Sequence, residues 1–483
     1  MNILFAASEA VPFAASGGLA DVAGSLPREI SRKGHNCAVV MPLYSAITED
    51  MRIQYGLEFV TNITVDVSWR KQYCGIFSAR YSGMTYYFID NEYYFGRNGL
   101  YGFYDDCERF VFFDRAVLEM LRSLKFKPDI IHCNDWQTAL IPVYYNVYYK
   151  YQQGYDNIKT VLTIHNIEYQ GKYGKEVLDE LMGIPQYNAG LVEYDGYVNM
   201  LKGAIETANQ IVTVSPSYAW EILDPWYAHG LDRILVTKNY KLKGILNGID
   251  TDTYNPATDE AIAANYSADD ISGKAVCREA LHKELGLELT DEPVIGIVSR
   301  FVKHKGIDLI RKALEDLVSK GVKFAILGSG EKIYEDFFLE MAARYPTRVS
   351  VTLGFVPELS HRIYAGADMF LMPSVSEPCG LAQMIAMRYG TVPIVRETGG
   401  LRDTVRDNGG AGGNGFTFKT VNADDMTDAV KRAYSAYHRK GEWEALVKRA
   451  MLCDYSWSAS ADEYIELYER LIADNEDEVM IQV

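Results

Sequence analysis

Residues 373–381, Pro-Ser-Val-Ser-Glu-Pro-Cys-Gly-Leu, join a short apolar strand (Met369–Met372) to a helix (Ala382–Tyr389). A strand that feeds a helix leaves the first backbone N–H groups of the helix unpaired, and such groups bind anions. Gly380, between Cys379 and Leu381, lets the backbone come close to a ligand. Glu377 sets a carboxylate beside that turn. The combination suits a ligand that carries both hydroxyls and phosphates, as a nucleotide sugar does. Upstream, Ser299-Arg300-Phe301-Val302-Lys303-His304-Lys305-Gly306 offers cations that can meet the same phosphates.

The elements that must position these residues form a repeating pattern. Residues 2–8 read as a buried strand, followed by the loop Ala14-Ala15-Ser16-Gly17-Gly18, an amphipathic helix from Leu19 to Lys33 and an apolar strand, Cys37–Met41. This is a strand–loop–helix–strand unit with a glycine-rich first turn, the usual entry to a parallel sheet. The stretch that follows is more irregular and rich in Tyr and Phe. Short buried strands return at Asp129–His132, Thr160–Ile164 and Gln210–Val214. The pattern restarts after Gly244, with strands at Val294–Val298, Lys323–Leu327, Val349–Leu353, Met369–Met372 and Val392–Val395 alternating with helices. Six or so such repeats make a complete doubly wound domain. The fold class is therefore α/β with two domains. Residues 1–243 form the first, together with a C-terminal helix within 457–483, and residues 244–456 form the second. Ser16-Gly17-Gly18-Leu19-Ala20-Asp21 is echoed by Thr398-Gly399-Gly400-Leu401-Arg402-Asp403. The second copy reads equally as a ligand turn and as plain strand-to-helix turn chemistry.

With 483 residues, 48% hydrophobic and 23% charged, the chain can bury a sizeable core. A net charge of −17 argues against nucleic acid or an anionic membrane as partner. It leaves a locally basic pocket for a phosphorylated ligand, and a neutral polymer such as a glucan is indifferent to it. The seven cysteines form no C-x-x-C pair and read as free thiols of a reducing compartment. No signal peptide and no membrane-spanning run is apparent, so the expected location is the cytoplasm.

Taken in order, Gly17-Gly18-Leu19, Asn134-Asp135-Trp136-Gln137, Thr163-Ile164-His165-Asn166, Asn247-Gly248-Ile249-Asp250, Ser299-Arg300 with Lys305-Gly306, Glu377-Pro378-Cys379-Gly380-Leu381 and Thr398-Gly399-Gly400-Leu401 span the whole chain. This series resembles the bacterial glycogen synthase and plant starch synthase family, retaining α-1,4-glucosyltransferases that use ADP-glucose. The resemblance implies the GT-B architecture, in which two Rossmann-like domains face each other across a cleft and the C-terminal helix crosses back to the first. It implies transfer of glucose to the non-reducing end of an α-1,4-glucan with the configuration kept. It implies neither a resident metal nor a pyridoxal cofactor. The need to close such a cleft and exclude water during transfer predicts a hinge near residues 243–248 and near the crossing into the C-terminal helix.

The resemblance also assigns roles. Arg300 and Lys305 are implied to meet the charge that builds on the departing diphosphate, and Glu377 to hold the sugar hydroxyls without acting as a covalent nucleophile. His165 is implied to lie near the reacting carbon. Gly17, Gly18, Asp21, Phe355, Cys379, Gly380 and Leu381 are implied on the donor side, with Phe355 stacking on adenine. Asp135 and Asn166 are implied on the acceptor side. Read from the residues alone, Asp135 is equally a helix N-cap, and a lone His after a buried strand is usually structural. Among the aromatic runs, Tyr144, Tyr145, Tyr148, Tyr149 and Tyr151 have helical spacing and read as core. Tyr93, Tyr94, Phe95, Tyr101 and Phe103 lie in an irregular loop and are the better candidates for an acceptor groove.

Two positions depart from the family pattern. Ala15 stands where the family carries Lys, which removes a cation from the donor side, and Ala382 stands where Thr is common. A glucan-binding protein without turnover and a transferase acting on a small acceptor are the alternatives. Retention of Glu377, Arg300, Lys305 and His165 speaks against the first. Ile385, where many small-acceptor enzymes carry a second Glu, speaks against the other.

Overall fold

The computed structural model describes residues 1–410 and 412–481; Ala411, Gln482 and Val483 lie outside the described residues. The chain divides into two compact units. Unit 1 comprises Met1–Val214, Ala219–Gly248 and the segment from Trp457 onward, and unit 2 comprises Ser215–Tyr218 and Ile249–Ser456.

In chain order the strands of unit 1 are β1 (Asn2–Ala6), β2 (Asn36–Pro42), β3 (Glu58–Val67), β4 (Arg70–Tyr81), β5 (Met84–Asp90), β6 (Ile130–Asn134), β7 (Lys159–Ile164), β8 (Lys172–Tyr173), β9 (Glu193–Tyr194), β10 (Tyr197–Asn199), β11 (Gln210–Thr213) and β12 (Leu242–Gly244). Nine of them form one sheet in the order β12-β11-β7-β6-β1-β2-β5-β4-β3. It is parallel except where β4 pairs antiparallel with β3 and β5. β1, β6 and β7 are apolar and almost wholly buried, as strands covered on both faces must be. β3 and β4, which the sequence reading left as irregular chain, sit at the sheet edge. They are half-exposed and lack the continuous apolar run that marks the buried strands.

The sequence boundary at 243/244 cuts through β12. Leu242 and Gly244 pair with Ile211 and Thr213 of β11, so the chain stays with unit 1 through Gly248. The last helix, Trp457–Ile481, packs on the helix Gly18–Arg32 and buries Tyr464, Leu467 and Tyr468 in unit 1. The Tyr144–Tyr149 run is core as its spacing suggested. Tyr144, Tyr145 and Tyr149 are buried with their hydroxyls bonded to Met182 O, Tyr155 O and Glu119, while Tyr151 is exposed.

Unit 2 carries β13 (Val294–Val298), β14 (Lys323–Gly328), β15 (Val349–Leu353), β16 (Met369–Met372), β17 (Val392–Arg396) and β18 (Phe416–Phe418). They form a fully parallel sheet in the order β15-β14-β13-β16-β17-β18. β13 and β16 are neighbours although two strand–helix repeats separate them in sequence. The order therefore reverses there, and ligands bind beyond the strand ends at such a reversal.

Candidate active site

The chemistry of unit 2 gathers at that reversal. β13 runs into residues 299–306, a loop pinned by backbone bonds from Phe301 N–H to Ser329 O (2.8 Å) and from Glu331 N–H to Phe301 O (2.8 Å). Gly306 then turns the chain with φ +72°, and a Cβ there would lie 1.9 Å from Pro373 O. Only glycine permits this approach, and it carries Lys305 onto the loop after β16. The Lys305 ammonium donates to both oxygens of Glu377, at 2.8 Å to Oε1 and 2.6 Å to Oε2. Ser374 Oγ donates to Oε2 at 2.9 Å. Arg396, at the buried end of β17, donates to Ser374 O (2.7 Å) and Val375 O (2.6 Å) and so fixes the loop that presents Glu377. Arg300 is exposed, and its guanidinium makes no hydrogen bond or ion pair among the described residues. The two cations thus differ: one orients the carboxylate, and the other is uncommitted.

The turn 377–381 rests on the second Gly-Gly-Leu. Gly400 N–H donates to Glu377 O and Pro378 O, both at 3.2 Å. Cβ atoms at Gly399 and Gly400 would lie 2.0 Å from Glu377 O and 2.1 Å from Cys379 O. Ser215 Oγ donates to Pro378 O (2.6 Å), and the buried Gln383 donates to Gly380 O (3.0 Å). Gly380 has φ +73°, Cys379 is buried and Leu381 is half-buried at the start of the helix Ala382–Arg388. Phe355, just after the edge strand β15, is 92% exposed.

In unit 1 the site residues follow β1, β6 and β7. The exposed Gly17 begins the helix Gly18–Arg32 with no side-chain cap, and among the described residues nothing lies within 4 Å of a Cβ added at Gly17 or Gly18. Asp21 is exposed in the first turn. Behind it the buried Glu9 accepts the Ser16 N–H at 2.6 Å. Burial raises the Glu9 carboxyl above its ordinary range, with the Asp21 charge adding to the rise.

Asp135 has a positive φ of +58° with ψ −172°, a backbone conformation that L side chains rarely adopt. Its carboxyl does not cap the turn that follows; it accepts the His165 N–H at 2.7 Å and the Asn166 N–H at 3.5 Å. Burial pushes it up to about 7. Burial pushes the His165 imidazole down to about 3, which keeps it neutral. Asn134 donates through Nδ2 to Ala6 O, so its Oδ1, 2.9 Å from His165 Nε2, is the acceptor. The proton therefore sits on Nε2, and Nδ1 makes no side-chain hydrogen bond among the described residues. Asn166 uses Oδ1 locally, on the Glu168 N–H.

The acceptor reading of Tyr94 is corrected here. Its ring is fully buried against Phe112 and its hydroxyl donates to Glu108. It lies in a short helix, Glu92–Phe95, whose alternate face turns Tyr93 outward, 63% exposed. Phe95 is buried as well. Asn134 and Ser374 stand inside the motifs read from the sequence but carried no role there, and Glu9 and Arg396 lie outside them. Arg396 still leaves a trace, as one charge at the end of an apolar strand.

Residues 2–237 match the starch synthase catalytic domain, and residues 278–445 match the glycosyl transferases group 1 family. Glycogen synthases of Desulforamulus reducens and Bacillus cereus are each 48% identical over 477 residues, 98% of this chain and 99% or 100% of theirs. The chain belongs to the glycogen synthase family. Among solved structures, the catalytic domain of starch synthase IV from Arabidopsis thaliana, bound to ADP and acarbose, superimposes with a TM-score of 0.89 at 36% identity, covering 98% of this chain and 99% of that one. The two doubly wound units are those of a GT-B glycosyltransferase. Among the described residues no helix is long and apolar enough to cross a membrane.

Proposed function

We propose that this glycogen synthase family member transfers glucose from ADP-glucose to the non-reducing end of an α-1,4-glucan with retention, in the cytoplasm. The observation that carries this reading is the Lys305–Glu377 pair, set on a glycine-built turn five residues beyond an uncommitted Arg300. The relatives' names and the ADP and acarbose of the starch synthase IV structure support the substrates.

The difficulty of the reaction is charge. As the bond from sugar C1 to the diphosphate breaks, negative charge grows on phosphate oxygen and positive charge on the sugar. Lys305 spends two N–H bonds on Glu377 and keeps a third for a phosphate oxygen, while Arg300 offers a planar fork to the same group. Donors already in place need no reorganisation as charge develops, and each is worth about 3–4 kcal/mol of barrier. Backbone N–H groups at Gly380 and Leu381, and at Gly17 and Gly18, add neutral donors. Glu377, anchored by Lys305 and Ser374, receives sugar hydroxyls on its remaining lone pairs. Neutral His165 lies near C1 without repelling the cation. The acceptor hydroxyl attacks from the face the phosphate leaves: its oxygen bonds to C1, and its proton passes to the departing phosphate oxygen. Asp135 and Asn166 line the acceptor side together with the exposed Tyr93, Asp21 the donor side, and Phe355 is the platform for adenine. Two protein cations supply the neutralisation, so the reaction proceeds without a resident metal or pyridoxal.

Incubation with ADP-glucose and glycogen tests the reading. Glucose should enter the polymer, ADP should be released in equal amount, and a metal chelator should leave the rate unchanged. Failure to extend glycogen with ADP-glucose would sink it, and extension with UDP-glucose alone would overturn the donor.

A further inference from the structure

Residues 96–105 of unit 1 form no regular element, yet two guanidinium groups hold them in one shape. Arg109, on the helix Asp106–Met120, is fully buried. Its Nε donates to Tyr94 O at 2.7 Å, and Nη1 donates to Leu100 O at 3.0 Å and to Asp106 Oδ1 at 2.6 Å. Its Cζ lies 4.7 Å from the Phe103 ring centre, 5.4 Å from Phe110 and 5.5 Å from Phe95. Nη2 has no hydrogen-bond partner among the described residues. The other oxygen of Asp106 accepts the Gly102 N–H at 2.8 Å. On the outer side, Arg97 grips Asp105 with two bonds of 2.6 and 2.7 Å, donates to Tyr93 O and covers the Tyr93 ring at 5.3 Å. So held, the loop brings Tyr101 OH to Ser8 Oγ, 2.7 Å away at the end of β1, and leaves Tyr93 facing out.

A charge buried with one donor unsatisfied is an expensive way to fill space, and an apolar side chain of similar volume usually serves stability as well or better. What Arg109 gives in return is geometric: three bonds to fixed points on both arms of one loop. We propose that Arg109 is a positioning residue for the glucan, holding loop 96–105 so that Tyr93 and Tyr101 are preset when the acceptor chain arrives. This rests on the reading that the loop lies on the acceptor side.

The test compares Arg109→Met, Arg109→Lys and the exposed-side variant Arg97→Ala with the unaltered protein. The readouts are retardation on native gels containing glycogen, the KM for glycogen and for ADP-glucose, kcat, and hydrogen exchange of amides 96–105. Arg109→Met should weaken glycogen retardation and raise the KM for glycogen about tenfold, with the KM for ADP-glucose unmoved and the loop amides exchanging faster. Arg109→Lys should recover part of the loss. If Arg109→Met does not fold, Arg97→Ala should show the same split more weakly. Proportionate loss in both substrates would reduce Arg109 to a fold brace and overturn the proposal. So would loosened amides with glycogen binding unchanged. A protein that binds glycogen through Arg109 but transfers no glucose would leave this proposal standing and remove the transfer reading instead.

Discussion

The two Gly-Gly-Leu turns share a sequence and not a reason. At Gly399-Gly400 the glycines exist for the protein itself: missing side chains let the backbone lie against the carbonyls of Glu377 and Cys379. At Gly17-Gly18 no described residue lies close enough to need the room, and the turn stands open ahead of a fifteen-residue helix without a side-chain cap. One motif is a packing device that aims a carboxylate; the other is vacant backbone suited to an outside group. An internal echo in a chain therefore says little about a shared role until each copy's neighbours are known.

Substitution at these turns separates the two cases most sharply. Gly400→Ala would force the 377–380 backbone aside, and displacement of a reacting group by about 1 Å costs on the order of 100-fold in rate. Activity should collapse and the melting temperature fall. Gly17→Ala should leave melting within about a degree and raise only the requirement for ADP-glucose. Equal damage from both, by calorimetry and kinetics, would erase the contrast. Lys305→Ala should come next, lowering kcat/KM by about 100- to 1000-fold. Lys305→Arg should rescue it incompletely, because a planar fork cannot serve both carboxylate oxygens and a phosphate from one nitrogen.

Proton titration should mark the unit 1 side. His132 and His165 are both held to about 3, against 6.5 when unfolded, so the unfolded chain binds protons that the folded one refuses. Their share of stability is intact above pH 6.5 and drains away as the pH falls toward 3. Asp135 has the opposite sign: raised from 3.8 to about 7, it favours the folded state at low pH, and that contribution is lost as the pH climbs through this window. If the ionised carboxyl is the working form, turnover should rise through pH 7 and Asp135→Asn should flatten that rise, measured with saturating substrates. The smallest effect should come from Ala15→Lys. Ala15 is exposed beside the open turn, and an added cation there should lower the KM for ADP-glucose by a few-fold and leave kcat nearly unchanged. No change would mean that the open turn manages without the family's lysine.

Much of this is legible in the amino-acid sequence. Buried parallel strands announce themselves as short apolar runs, and Glu377, Arg300 and Lys305 fall at their ends, where an α/β sheet keeps its ligands. Tyr94 was misjudged because a loop rich in aromatics looks like a platform, whereas one helical turn there sends neighbouring rings to opposite sides. Glu9, Arg396 and Arg109 went unnoticed for a different reason. Each acts through backbone atoms of another segment, and neither periodicity nor spacing encodes a partner that only folding brings near. The hairpin β3–β4 escaped because an edge carries too little buried surface to leave an apolar run.

His132, in the middle of β6, meets the Tyr468 hydroxyl of the last helix across 336 positions of chain. On the ribosome, the strand that carries Asn134 toward His165 is made early and its imidazole Nε2 soon has Thr163 Oγ1 to bond, 2.6 Å away in the folded unit, but Nδ1 waits for Tyr468 while all of the other unit is synthesised. The unit translated second can finish folding first, and the histidine face of the site is completed only when the final helix has emerged from the exit tunnel.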